Sequence, residues 1–270
     1  MLSVFATEHG ISYPLLSDEG SALIRDIGLL NEQIARENEH WGIPYPGSFL
    51  LDENGVVVGK RFFQSHRERE TGVAILEQGF GLRSSMHGRQ VKASRAGAYG
   101  SAAAETDTGE SADGESGTSE QHTTELPTSK EIVSVSAHLD SDTYRWYQRL
   151  WLTVELDVAE GFHIYGQPIP AGFHPLAIDV TPIEGLEVGS PRYPETRPYR
   201  VIGIDESFNV YEGSIAISVP LTFAQKGGDL VVTVQVSYQT CSDTECYPPR
   251  AATLSVPVGA ADHVARPEGP

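Results

Sequence analysis

A chain of 270 residues has room for one large domain or two ordinary ones, each with a real hydrophobic core. Its 37 Asp and Glu outweigh 19 Lys and Arg, giving a formal charge of -18, which argues against a phosphate-backbone binder and against attraction to anionic lipid. No apolar run reaches the roughly 18 to 20 residues that cross a bilayer, so neither membrane insertion nor nucleic-acid binding is expected. The opening residues, Met1 to His9, lack the basic and long apolar regions of a secretory signal, which predicts a cytoplasmic chain.

Residues 1–83 alternate helix-like and strand-like patterns. Phe49 to Leu51 and Val56 to Phe63 are two apolar strands separated by a turn ending in Asn54-Gly55, a dipeptide that supplies the positive φ of a hairpin. Thr71 to Gln78 predicts a short helix stopped by Gly79. The run Arg67, Glu68, Arg69, Glu70 reads as a solvated charged face. His9, His40 and His66 are too sparse to frame a metal site. Residues 84–130 lose all periodicity in Ala, Gly, Ser, Thr and Glu. Such a stretch buries too little apolar surface to offset its ordering entropy, so it is expected to be a disordered acidic linker.

From Glu131 onward, strand-length patterns recur at 131–139, 149–158, 174–180, 213–220, 229–239 and 251–258, with Gly and Pro between them. Regular turn signals and no convincing helix predict an all-β sandwich over 131–258, followed by a flexible tail at 259–270. The fold class is thus a partial α/β unit followed by an all-β one.

The chemistry of the chain converges on its only cysteines, Cys241 and Cys246, which flank Ser242, Asp243, Thr244 and Glu245. They sit in a loop between two predicted strands, where a disulfide forms if the turn brings the α-carbons to about 5.5 Å. Three readings stay open: a redox-active pair, a disulfide that staples a hairpin, or a metal-binding or inert pair of thiols. Zinc is weakly indicated, because structural sites want four ligands and no histidine follows at a finger-like spacing. No metal and no cofactor is expected. Asp243 and Glu245 either repel a nearby thiolate or assist proton transfer, while Pro248 and Pro249 stiffen the exit from the loop.

Tyr238-Gln239-Thr240-Cys241, Cys246-Tyr247-Pro248-Pro249, Gly161-Phe162-His163-Ile164-Tyr165 and Val210-Tyr211-Glu212-Gly213 together give residues 131–258 a specific likeness. The region resembles the N-terminal immunoglobulin-like domain of the disulfide reductase DsbD and the wider group of disulfide-bond corrector domains. The resemblance implies a reversible Cys241–Cys246 disulfide that is reduced by a thioredoxin-like protein and passes electrons to client oxidoreductases. It implies that His163 and Tyr165 lie near the pair, and a periplasmic location if upstream sequence is missing. Tyr13 to Asp18, Ile27 to Asn31 and Gly42 to Gly55 resemble the later part of AhpC/TSA peroxiredoxins, of thioredoxin-like fold. That likeness implies a cis-proline, best matched by Pro46, in a fragment truncated ahead of Met1. Residues 1–83 contain no cysteine and no Pro-x-x-x-Thr/Ser-x-x-Cys motif, so no peroxidase activity is expected there. The expected function is thiol–disulfide exchange through Cys241 and Cys246. The alternative is a non-enzymatic protein-binding sandwich with a structural disulfide.

Overall fold

The computed structural model describes residues 2–65, 67–93, 97–98, 132–200, 207–225 and 227–261. A mixed α/β segment comes first and a larger, multi-sheet β-rich region follows. The first segment holds short helices at Leu2–Glu8 and Ala22–Asp26 and an antiparallel hairpin of Gly47–Leu51 with Val57–Phe62. Asn54-Gly55 turns that hairpin as expected: Gly55 has φ of 78°, and Asp52 Oδ1 accepts from the amides of Asn54 and Val56 at 2.9 Å each. Thr71 caps the predicted helix, its hydroxyl accepting from Ala74 N at 2.9 Å, and the helix widens to a π turn over Ile75–Gly79.

The Tyr45–Pro46 bond is trans, contrary to the cis-proline expected at Pro46; among the described residues the cis X-Pro bond is Gln167–Pro168. Pro46 leads straight into the hairpin, its carbonyl accepting from Phe63 N at 2.9 Å. Extended backbone of that kind is served by the trans isomer, which is also the less costly one.

The β-rich region is built on two large sheets around one core. One orders Leu186–Val188, Ser214–Phe223, Gln148–Val158, Val133–Leu139 and Val91–Lys92; the other orders Ala177–Val180, Leu230–Tyr238, Arg250–Ala260 and Gly97–Ala98. Alternation explains the packing. Leu150, Leu152, Val154 and Leu156 meet Val232, Val234, Val236, Leu254 and Val256 in a single buried cluster. Val91–Lys92 corrects the start of the expected linker, because Val91 and Ala93 pack on that cluster and the strand pairs with Ala137 and Ser136. Most of the remaining linker, and the tail from residue 262, lie outside the described residues. His66 does too.

Trp151 sits on the face of its strand opposite the core, yet it is only 2% exposed. The first segment covers it. Glu70 accepts from the indole Nε1 at 3.2 Å and from Arg61 Nε at 2.8 Å, while Arg192 lies 4.4 Å over the indole ring. Glu68 pairs with Arg149 and accepts from the Thr222 hydroxyl, and Arg69–Glu70 runs parallel to Gln148–Arg149. The run Arg67 to Glu70 is therefore no solvated face: its two carboxylates point into a contact with the sheet, which pairs them and shields them from water.

Asp140 completes this contact, accepting from the Thr71 hydroxyl and from Trp151 N at 2.9 Å. Burial pushes its carboxyl up to about 6. Because the folded value lies above the unfolded one, ionisation costs stability. The cost is absent below about pH 4, grows through pH 4 to 6 and is complete above. The urea-unfolding free energy of wild type relative to Asp140→Asn should therefore fall by about 3 kcal/mol between pH 4 and pH 7; a difference that stays flat across that range would remove Asp140 as the cause.

Candidate functional site

A third, smaller sheet carries the cysteines. It orders Arg197–Arg200, Ser207–Tyr211, Phe162–Tyr165 and Thr240–Ser242. Thr240 pairs with Ile164, Cys241 with His163 and Ser242 with Phe162. Directly opposite residues of an antiparallel ladder share a face, so Cys241, His163 and Tyr165 lie on the same side while Ile164 enters the main core. Tyr165, Phe208, Val210 and Cys241 form a separate buried cluster, with Ile169, Phe173 and Tyr199 packed against it.

Cys241 and Cys246 are joined by a disulfide with the α-carbons 4.1 Å apart. Backbone bonds hold the loop independently: Ser242 N donates to Glu245 O at 2.7 Å and Tyr247 N to Thr240 O at 2.9 Å. The sulfurs differ in environment. Cys241 is 1% exposed, whereas Cys246 belongs to the exposed rim of the loop. The Tyr165 hydroxyl lies 3.3 Å from Cys241 Sγ and 3.5 Å from Cys246 Sγ. Disulfide sulfur carries no proton, so the phenol is the donor to both. Burial pushes the Tyr165 phenol above its ordinary value, which keeps that proton in place.

His163 is 3% exposed, and among the described residues its Nε2 has no hydrogen-bond partner. Its ring lies against Tyr199 with centroids 4.3 Å apart. Tyr199 in turn donates to Asp243, tying the cysteine loop to the far strand of the sheet. That bond to a carboxylate is the main reason the Tyr199 phenol is pushed up to about 12.

Of the residues singled out from sequence, Cys241, Cys246, His163, Tyr165 and Asp243 come together here. Glu245 accepts from the Tyr247 hydroxyl at 3.1 Å on the outer side of the loop. Pro248 and Pro249 follow at the surface. Tyr238 belongs instead to the main core. Pro46 is in the first segment. Tyr199, Phe173 and Phe208 were not foreseen, since each arrives from a segment more than thirty residues from the cysteines and carries no local motif. Among the described residues no group of three or more His, Cys, Asp or Glu could hold a metal ion, and no helix is long and apolar enough to cross a membrane.

A family model described as "Thiol:disulfide interchange protein DsbD, N-terminal" matches residues 123–257, and one described as "AhpC/TSA family" matches residues 2–60. The latter stretch contains no cysteine. Among solved structures, the reduced N-terminal domain of DsbD from Neisseria meningitidis aligns at 18% identity over 40% of this chain and 77% of that one, with a TM-score of 0.30. The N-terminal periplasmic domain of ScsB from Proteus mirabilis aligns at 16% identity over 50% of this chain and 48% of that one, with a TM-score of 0.35. The GAE domain of GGA2p from Saccharomyces cerevisiae aligns at 7% identity over 47% of this chain and 92% of that one, with a TM-score of 0.28. No curated protein matches the sequence.

Asp243→Ala removes the acceptor that holds the Tyr199 proton. The Tyr199 phenol should then titrate near the ordinary value of about 10 instead of about 12, read by ultraviolet difference spectroscopy against a Tyr199→Phe control. A Tyr199 titration unmoved by the substitution would show that the loop is not tied to the sheet in this way.

Proposed function

The chain belongs, over residues 123–257, to the family of the N-terminal domain of the thiol:disulfide interchange protein DsbD, and from that premise we propose that it is a protein-docking module whose exposed reaction is thiol–disulfide exchange at Cys246. This reading takes residues 131–258 as one immunoglobulin-like sandwich, supported by the core that the two large sheets share. It takes residues 1–83 as a thioredoxin-like unit with no thiol of its own and 84–130 as the join between the two, within which Val91–Lys92 and Gly97–Ala98 add to the sheets of the β-rich region.

The unequal burial of the two cysteines carries the proposal. An attacking thiolate from a thioredoxin-like partner reaches Cys246 Sγ at the rim, while Cys241 stays enclosed. The Cys241–Cys246 bond breaks, a Cys246–partner disulfide forms, and the electron pair leaves on Cys241 Sγ. There the Tyr165 hydroxyl, 3.3 Å away, donates to the developing thiolate. The partner's second thiol then attacks its own sulfur in the mixed disulfide and releases Cys246. The net result is a disulfide in the partner and two thiols here, with two electrons and two protons moved. The reduced pair passes them to client oxidoreductases by the reverse steps.

A second reading asks less of the molecule: a protein-binding β-rich module in which the disulfide only staples the loop. The formed disulfide and the backbone bonds around it meet that reading with no further step, and it shares the docking face with the first.

The test is the reduction potential of the pair in the full folded chain, equilibrated in glutathione or dithiothreitol buffers and read by thiol trapping. Exchange predicts a potential in the range of thioredoxin-like couples, about -180 to -270 mV, and a Cys241→Ser variant that accumulates a mixed disulfide through Cys246 with a thioredoxin-like protein. A value below about -300 mV, with no mixed disulfide, would establish the staple in its place.

A further inference from the structure

We infer that His163 is the proton acceptor for Cys241, taking the thiol proton onto Nε2 in the step that re-forms the disulfide. The inference deepens the exchange reading and rests on it. In that step Cys241 S–H gives its proton to His163 Nε2, and the thiolate attacks Cys246 Sγ in a Cys246–partner disulfide. The Cys241–Cys246 bond forms and the Cys246–partner bond breaks. The electron pair leaves on the partner's sulfur, which takes up a proton from solvent, and the imidazolium returns its own to solvent. Atoms, charge and electrons balance without any further reactant.

Three observations converge on this residue. The ladder places His163 directly opposite Cys241, and such a pair has β-carbons about 5 Å apart on one face. Both residues are almost wholly enclosed, at 3% and 1% exposure, so bulk water is poorly placed to take the proton. Nε2 is buried without a partner among the described residues. An orphan of that kind costs free energy in a folded protein, and the role inferred for His163 gives it the Cys241 thiol as its partner in the reduced protein.

The surroundings hold the imidazole ready. Its ring is packed on Tyr199 at 4.3 Å and meets Tyr165 edge-on at 5.6 Å. The titratable groups facing it are Cys241 across the ladder, Tyr165 on its own strand, Tyr199 against the ring, Asp243 in the loop, and Glu212 just beyond the Ser207–Tyr211 strand. Burial lowers the His163 value and outweighs the raising pull of Glu212 and Asp243, leaving the ring neutral and able to accept at neutral pH. Once the proton has moved, those two carboxylates and the new thiolate favour the imidazolium, the logic by which paired Cys and His residues activate a thiol elsewhere. Tyr165 acts differently, because its raised phenol donates to sulfur and keeps its proton.

The experiment uses the full chain, reduced with dithiothreitol, freed of it, and re-oxidised by oxidised glutathione across a range of pH. Wild type should re-form the disulfide with a pH profile governed by the coupled Cys241–His163 pair. His163→Gln and His163→Phe should both be slower by roughly a hundredfold at neutral pH, with rates that climb with pH until the thiol ionises unaided. Nuclear magnetic resonance of the wild-type His163 ring supplies a readout that needs no variant: its titration should shift between the disulfide and dithiol states. Variants that re-oxidise at the wild-type rate with the wild-type profile, or a ring titration identical in the two states, overturn the role of His163 and leave exchange standing. A folded wild type that dithiothreitol cannot reduce defeats both.

Discussion

The strand Phe162–Tyr165 serves two interiors at once, and its two-residue period decides where the sulfur lies. Ile164 is wholly buried in the main core, while His163 and Tyr165 point the other way, toward the smaller cluster around Cys241. A slip of one residue would drive an imidazole into an aliphatic interior and turn Ile164 out of it, a loss of several kcal/mol. The register of Thr240–Ser242 against this strand is therefore pinned by apolar burial rather than by anything at the cysteines. With the register fixed, Cys241 can face only His163, and the phenol two residues along reaches both sulfurs.

The loop itself needs little help from the covalent bond. Closing so short a loop removes unfolded-state entropy worth roughly 2 kcal/mol, less than a long-range crosslink supplies. The turn already carries bonds from Ser242 N to Glu245 O and from Tyr247 N to Thr240 O, and the amides of Thr244 and Glu245 donate to the Ser242 hydroxyl. Tyr199 and Asp243 add a link to the far edge of the sheet. These bonds hold the turn alongside the covalent link between Cys241 and Cys246.

Much of the scaffold was legible because long strands write their burial into the sequence. Leu230 to Tyr238 and Ser214 to Phe223 alternate cleanly, and their partners were found where the apolar residues recur. The short strands were harder. Arg197–Arg200 contains a proline and two arginines, and Thr240–Ser242 has only three residues, so neither offers a period to read. The site suffered most, since Tyr199, Phe173 and Phe208 meet the cysteines through tertiary packing that local pattern does not encode. The run Arg67 to Glu70 misled for a related reason. Charge in sequence signals solvent unless a partner surface exists, and that surface, around Trp151, is far away in the chain.

The contact at Trp151 also fixes what the first segment can do for the site. Residues 61–79 cover one end of the Gln148–Val158 strand, and the cysteine sheet is reached past the other end, through Ala159 to Gly161. From Trp151 to Val158 an extended strand covers about 23 Å. Residues 1–83 contain no cysteine and so offer no thiol to Cys246. The segment braces the outer face of the sheet through Glu70 paired with Arg61, Glu68 paired with Arg149, and the buried indole of Trp151. Under the proposed exchange reading, the thiol that meets Cys246 approaches over the exposed rim of the loop, beside Asp243 and Tyr199.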